Sequence, residues 1–178
     1  MMDFEQGLGQ LGSDYGKNDP RPKRSVEFSQ AENVYLVRYE NINSFGRLFG
    51  GQLLAWIDEI AGAVALRHTG VQEVTTASID NLTFKRGAYL HDRIVLLARM
   101  TYVGNTSCEV RVDSYIEDEE GFRREINRAF LTFVAVSKEG KPIRIPYGLE
   151  VKTVSEQARW DGAILRIRNR KSRKDIGF

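Results

Sequence analysis

QLLAWIDEIAGAVALR, running from Gln52 to Arg67, decides how the rest of the chain is read. Leu53, Leu54, Ile57, Ile60, Ala61, Val64 and Ala65 recur at i, i+3, i+4 and i+7, which predicts one helix with a broad apolar face. Arg67-His68-Thr69-Gly70 closes it, with basic residues at the negative end of the helix dipole and Gly70 as C-cap. After Gly70 the hydrophobic period changes from 3.6 to 2 and stays there. Glu73 to Phe84, Arg93 to Val103, Ser107 to Glu117 and Glu125 to Val136 each read as strands. Val103-Gly-Asn-Thr106 and Asp118-Glu-Glu-Gly121 are hairpin turns between them, and Lys138-Glu-Gly-Lys141 ends the last strand. A fifth strand, Asn33 to Glu40, precedes the helix. Four strands in hairpin succession after one helix do not alternate strand with helix, which excludes a doubly wound α/β sheet. The pattern predicts an α+β fold in which a curved antiparallel sheet wraps around one central helix.

Outside that unit the chain loses its periodicity. Residues 1–24 are rich in Gly, Asp, Asn, Pro and Lys and read as a flexible N-terminal tail. Residues 25–150 form the domain, and 151–178 read as a short helix with a basic C-terminal tail that trails into solvent. The length of 178 residues suits one domain with a full core. A net charge of +2 is too small to imply nucleic acid, and six basic residues (Arg166, Arg168, Arg170, Lys171, Arg173, Lys174) crowd its end. No signal peptide and no apolar run of membrane-spanning length is visible. The lone Cys108 fits a reducing cytoplasm. On these grounds the expectation is a cytoplasmic protein with no nucleic-acid or membrane partner.

The chemistry is concentrated at the start of the central helix. Gly50 and Gly51 stand just before it, where unpaired N–H groups and the positive end of the dipole favour an oxyanion. Asp58 follows on the shoulder of the apolar face, where a carboxylate costs free energy unless it is paired or used. Asn43 lies just upstream. An oxyanion site at a helix mouth, a carboxylate two turns in and an amide just upstream suggest acyl chemistry. The same residues also read as a tight entry turn followed by a solvated helix edge, and spacing alone favours that plainer reading.

The wider sequence tips the balance. Asn43-x-x-Gly46-x-x-Phe49-Gly50-Gly51, then Asp58-Glu59-x-Ala61-Gly62 and Arg67-His68, closely resembles the hotdog-fold cytosolic acyl-CoA hydrolases. That family of acyl-CoA thioesterases includes single-domain bacterial enzymes and the tandem-domain brain-type mammalian enzyme. The resemblance continues through Thr76 to Phe84, Tyr102 to Val110 and Ala129 to Val136, covering about residues 33 to 146. The chain departs from the family pattern at Gly87, His91 and Cys108, where Pro, Gly and Met are usual. The resemblance implies hydrolysis of fatty acyl-CoA to a fatty acid and coenzyme A without a cofactor. It implies Asp58 as the catalytic carboxylate, either general base or nucleophile, with Asn43 of the partner subunit opposite it. A backbone N–H from Gly50 or Gly51 would hold the developing oxyanion. It implies a homodimer as the minimum unit, and a trimer of dimers as the assembly. Ser78, Lys85, Arg86 and the turn Gly104-Asn105-Thr106-Ser107 are the substrate-binding candidates for the coenzyme A moiety. For Lys85 and Arg86 a solvated strand end is an equal alternative, and a tight hairpin has its own uses for the turn residues.

Other classes fit less well. A non-catalytic acyl-CoA sensor needs an appended DNA-binding helix pair, and residues 1–24 have no amphipathic helix. A hydratase or dehydratase needs a histidine near the middle of the helix, whereas His68 is at its far end. His68 and His91 read as a helix cap and an exposed loop residue, with no metal site expected. Cys108 shares a strand face with Val110 and Val112 and reads as core.

Overall fold

A computed structural model describes residues 19–80 and 82–177. Its elements are β1 (Lys23–Ser25), α1 (Val26–Ser29), β2 (Ala31–Leu36), a 3-10 turn (Tyr39–Asn41), α2 (Gly50–Thr69), β3 (Val74–Asp80), β4 (Arg93–Val103), β5 (Ser107–Glu117), β6 (Arg123–Ala135), β7 (Gly148–Glu150) and α3 (Val154–Asp175). The main sheet has five antiparallel strands in the order β2-β4-β5-β6-β3, so β2 and β3 are its edges. This is the α+β hotdog arrangement, with α2 lying against the sheet.

Alternation along the strands divides the side chains between two faces. Ile94, Leu96, Ala98 and Met100 of β4, Cys108, Val110 and Val112 of β5, and Ala129, Leu131 and Phe133 of β6 form one core with Leu53, Ile57, Ile60, Ala61, Val64 and Ala65 of α2. The apolar stripe that predicted the helix is thus the stripe that is buried. In β2 the inward residues are Tyr35, stacked on Trp56 with ring centroids 4.4 Å apart, while Val34 and Leu36 are exposed. Strand β3 stops at Asp80 rather than Phe84. Beyond it, contact with β6 passes to Lys85 N–H on the Ile126 carbonyl and the Asn127 side-chain amide on the Thr83 carbonyl.

Three terminal features differ from the expectation. The described part of the N-terminal segment is docked, because β1 pairs in parallel with β7 and Arg21 reaches the carbonyls of Gly104 and Ile145, each at 2.9 Å. Asp19 pairs with Arg21, and that hydrogen bond holds the Asp19 carboxyl below its ordinary range. The expectation for residues 1–18 lies outside the described residues. The C-terminal helix is 22 residues long, opened by a capping box between Thr153 and Glu156. It is amphipathic and buries Trp160, Ala163 and Ile167.

Three arginines of the basic end of α3 are held to the sheet rather than trailing into solvent. Helix α3 lies on the sheet face opposite α2, with Trp160 tilted on Tyr102. Arg166 forks the buried Glu109 carboxylate (Nε–Oε2 3.0 Å, Nη2–Oε1 2.7 Å), and its guanidinium sits 3.5 Å over the centre of the Phe130 ring. Arg170 and Arg173 each donate to Asp80. Sequence patterning missed these pairs because their members lie 57 to 93 positions apart.

Candidate active site

The loop before α2 is shaped by Asn43. Its Oδ1 accepts from the backbone N–H of Phe45 (3.0 Å) and Arg47 (3.2 Å), and its own N–H donates to the Arg47 carbonyl (2.7 Å). The side-chain oxygen therefore serves the loop, which leaves the Nδ2 amide as the donor presented to a ligand. Phe49 then enters α2 in extended conformation and supplies no side-chain cap. Among the described residues the N–H groups of Gly50 and Gly51 have no hydrogen-bond acceptor, so two donors stand open at the positive end of the helix. Two exposed aromatic rings lie close over these glycines. A Cβ on Gly50 would lie 3.3 Å from the Phe84 ring, and one on Gly51 would lie 2.5 Å from the Phe49 ring.

A cavity of about 400 Å³ opens at this point, lined by Asn43, Gly50, Leu53, Phe84, Arg86 and Ile126 among others. Arg47 and Lys85 also line it, so its mouth is basic, although Lys85 pairs with Glu125. Asn43, Gly50, Lys85 and Arg86 are thus brought together as expected site residues. Gly51 is the next residue of the same helix mouth.

Asp58 does not line that cavity. It sits two turns into α2, where its Oδ1 accepts a 2.8 Å hydrogen bond from Thr76 Oγ1 on the edge strand β3. The contact is exposed to solvent. Sequence reasoning missed Thr76. The usable signal was that one of the adjacent Thr75 and Thr76 must face the helix that precedes their strand. Ser78 lies at a bulge of β3, and its hydroxyl is buried without a partner among the described residues. The Gly104 to Ser107 turn also lies apart from the cavity. The Gly104 carbonyl accepts from Arg21, and the Asn105 and Thr106 carbonyls accept from Ile145 and Ala135 N–H, so the turn is a junction of the fold in this protomer.

His68 is not a solvent-facing cap. It is fully buried, with Nδ1 3.0 Å from Ser29 Oγ and Nε2 3.3 Å from the Gly148 carbonyl. The carbonyl can only accept, so the Nε2 position carries the proton and the neutral ring is satisfied on both sides. Burial pushes its pKa down to about 4. A ring so enclosed has no route to a substrate. His91 takes a left-handed turn conformation (φ 71°) and is exposed. Burial raises the Cys108 thiol to about 12, in keeping with a core residue.

Comparison with known proteins gives the family. Residues 45–122 match the thioesterase superfamily. The uncharacterized acyl-CoA thioester hydrolase YkhA of Bacillus subtilis is 37% identical over 133 residues, covering 74% of this chain and 76% of that protein. An acyl-CoA hydrolase from Staphylococcus aureus, solved with butyryl coenzyme A, coenzyme A and coenzyme A disulfide, superposes with a TM-score of 0.79 at 34% identity. That match covers 86% of this chain and 93% of that one. The same enzyme has been solved with an aspartate, an asparagine and a threonine each replaced by alanine. An apo hexameric acyl-CoA thioesterase superposes with a TM-score of 0.80 at 38% identity, over 86% of this chain and 97% of that one. The chain therefore belongs to the acyl-CoA thioester hydrolases of the thioesterase superfamily.

Proposed function

We propose that the protein is a cytoplasmic acyl-CoA thioesterase whose active sites are shared between two subunits. One observation carries the reading. Asn43 and Gly50 line a cavity at the uncapped mouth of α2, while Asp58 stands outside it, held by Thr76 at the open edge strand β3. Pairing two β3 edges sets Asp58 of one subunit against the Asn43 cavity of the other. The variants solved for the S. aureus enzyme support the assignment. The aspartate and asparagine replaced there are fifteen positions apart, as Asn43 and Asp58 are here. The hexameric relative supports three such dimers as the assembly.

In this mechanism the thioester carbonyl oxygen points at the Gly50 and Gly51 N–H groups, and the Asn43 amide donates to the carbonyl or to water. Each well-placed donor to the oxyanion is worth roughly 3–4 kcal/mol in other acyl-transfer enzymes. As general base, Asp58 takes a proton from water while the water oxygen bonds to the carbonyl carbon. Collapse of the tetrahedral intermediate breaks the C–S bond, and the thiolate recovers the proton. As nucleophile, the Asp58 carboxylate bonds to the carbonyl carbon and expels the thiolate, and water then hydrolyses the mixed anhydride. Thr76 positions the carboxylate in either route. Single turnover in heavy-oxygen water tests for the nucleophilic route, because label enters Asp58 only when water attacks the Asp58 carbonyl of the mixed anhydride.

The test is Asp58→Asn, which should fold normally and lose at least about a hundredfold in rate. Asn43→Ala should lose less. Mixing the two inactive proteins under subunit exchange should restore about a quarter of parental activity, because about half of the randomly assorted dimers are mixed and each holds one intact site. No recovery despite demonstrated exchange would place both residues in one subunit.

A further inference from the structure

We propose that a second cavity, lined by polar residues between the C-terminal half of α3 and the Asp80 end of β3, is a phosphate site for the nucleotide end of an acyl-CoA. The inference rests on the thioesterase reading for the identity of the ligand, but not for the existence of the site. The cavity measures about 370 Å³ and is lined by Asp80, Arg166, Asn169, Ser172 and Arg173, without one apolar side chain. Its volume lies within the range of small-molecule sites.

Arg166, Asn169, Arg170 and Arg173 recur at i, i+3, i+4 and i+7, so they share one face of α3, and that face is turned to the sheet. Three guanidiniums there meet two carboxylates. Arg166 forks Glu109, while Arg170 and Arg173 divide the two oxygens of Asp80 between them. The layer keeps a surplus positive charge and guanidinium N–H groups not engaged by those two carboxylates. The side chains of Asn169 and Ser172 add donors that have no partner among the described residues. Anchoring a helix takes fewer cations than this. Planar forks beside amide and hydroxyl donors are what a phosphate selects.

Position adds a second argument. Thr76, which holds Asp58, and Asp80 lie four residues apart on β3, or about 13 Å at the rise of a strand. Phe84, which lines the Asn43 cavity, is four residues further along the chain. The two cavities are thus lined by residues four positions apart in sequence, Asp80 at the end of β3 and Phe84 just beyond it. A ligand with its reactive acyl group at one end, phosphates at the other and a long flexible arm between them fits that layout.

The experiment combines calorimetry with steady-state kinetics on the full-length protein. The probes are inorganic pyrophosphate, adenosine bisphosphate, an acyl-CoA, and the matching acyl-pantetheine, which lacks the nucleotide. The variants are Arg173→Gln and Ser172→Asp, the second placing a negative charge on an exposed position while sparing every ion pair. The parent should bind pyrophosphate and adenosine bisphosphate, and both variants should weaken that binding. KM for acyl-CoA should rise about tenfold in both variants with kcat within about twofold, and acyl-pantetheine hydrolysis should stay as in the parent. A parent that binds neither probe, with KM unchanged in the variants, would overturn the site. So would equal losses on acyl-CoA and acyl-pantetheine, which would mean that the variants act through the fold. Phosphate binding that the variants abolish while KM for acyl-CoA stays fixed would overturn the assignment to the substrate and identify a free nucleotide as the ligand. A parent that hydrolyses neither thioester would sink the thioesterase reading alone, since calorimetry would still decide the phosphate site.

Discussion

Replacing Arg166 by Met should be the most damaging single change outside the core. Its partner Glu109 is 1% exposed and has three side-chain hydrogen bonds, two from Arg166 and one at 2.6 Å from Thr101. Without Arg166 the carboxylate keeps only the threonine hydroxyl. Removing one partner of a buried pair typically costs about 3–5 kcal/mol, because the remaining charge is left uncompensated. Loss of the guanidinium over Phe130 adds about 0.5–1 kcal/mol. Part of this is offset as the methionine stem fills the same space, so the net loss should be about 4 kcal/mol. Against a typical domain stability of about 5–15 kcal/mol that is close to unfolding. The assay is urea unfolding at one fixed protein concentration, since assembly contributes to apparent stability. Glu109→Gln combined with Arg166→Met removes both charges and should lose only about 1–2 kcal/mol, giving a coupling of at least about 2 kcal/mol. A single Arg166→Met variant within about 1 kcal/mol of the parent would refute the reasoning and mean that α3 docks without help from the Glu109 pair.

His68 makes stability depend on pH. The unfolded chain takes up its proton near 6.5, whereas the buried ring resists until about 4, so stability falls as pH drops through that window and is unaffected above it. Between pH 6.5 and 5 the loss should be about 2 kcal/mol, and His68→Gln should flatten that part of a urea-unfolding pH series. Gly70 caps α2 at φ 69°, and a Cβ added there would meet the side chains of Arg24 and Tyr147 at 3.2 and 3.3 Å, so Gly70→Ala should cost about 1–2 kcal/mol in the same assay. Ending the chain after Arg168 removes both arginines from Asp80 but keeps Ile167 and Arg166, for a loss of about 1–2 kcal/mol. Ending it before Ile164 also strips Ile167 and Arg166 and should cost at least about 4 kcal/mol, with light scattering reporting the assembly beside each unfolding curve.

The sequence made the helix-and-sheet unit legible because its signals are local. Periodicity marked α2 and the inward faces of β4 to β6, Gly70 marked a helix end, and the two hairpin turns marked strand order. The Asn43 and Gly50 half of the site was legible for a similar reason, since a helix mouth and its loop are contiguous. What escaped was contact between distant segments. Arg21 on Gly104, His68 between Ser29 and Gly148, Thr76 on Asp58, and the arginines of α3 on Glu109 and Asp80 leave no periodic trace. A run of basic residues reads as a solvated tail until the carboxylates beneath it are located.

The parallel pairing of β1 with β7 sets the order in which this protein can mature. Arg21 and Ile145 are 124 positions apart, so the first described segment waits for one of the last before it has anything to hold. At about 5–20 residues per second, a ribosome takes roughly ten seconds to deliver that partner. During this interval the end of α2 is made but uncovered, with His68 lacking Gly148 and the Ile145 carbonyl not yet there for Arg21. Pairing of β1 with β7 must therefore follow synthesis of most of the domain. Until it occurs, the nascent chain offers a half-finished helix end to chaperones and proteases.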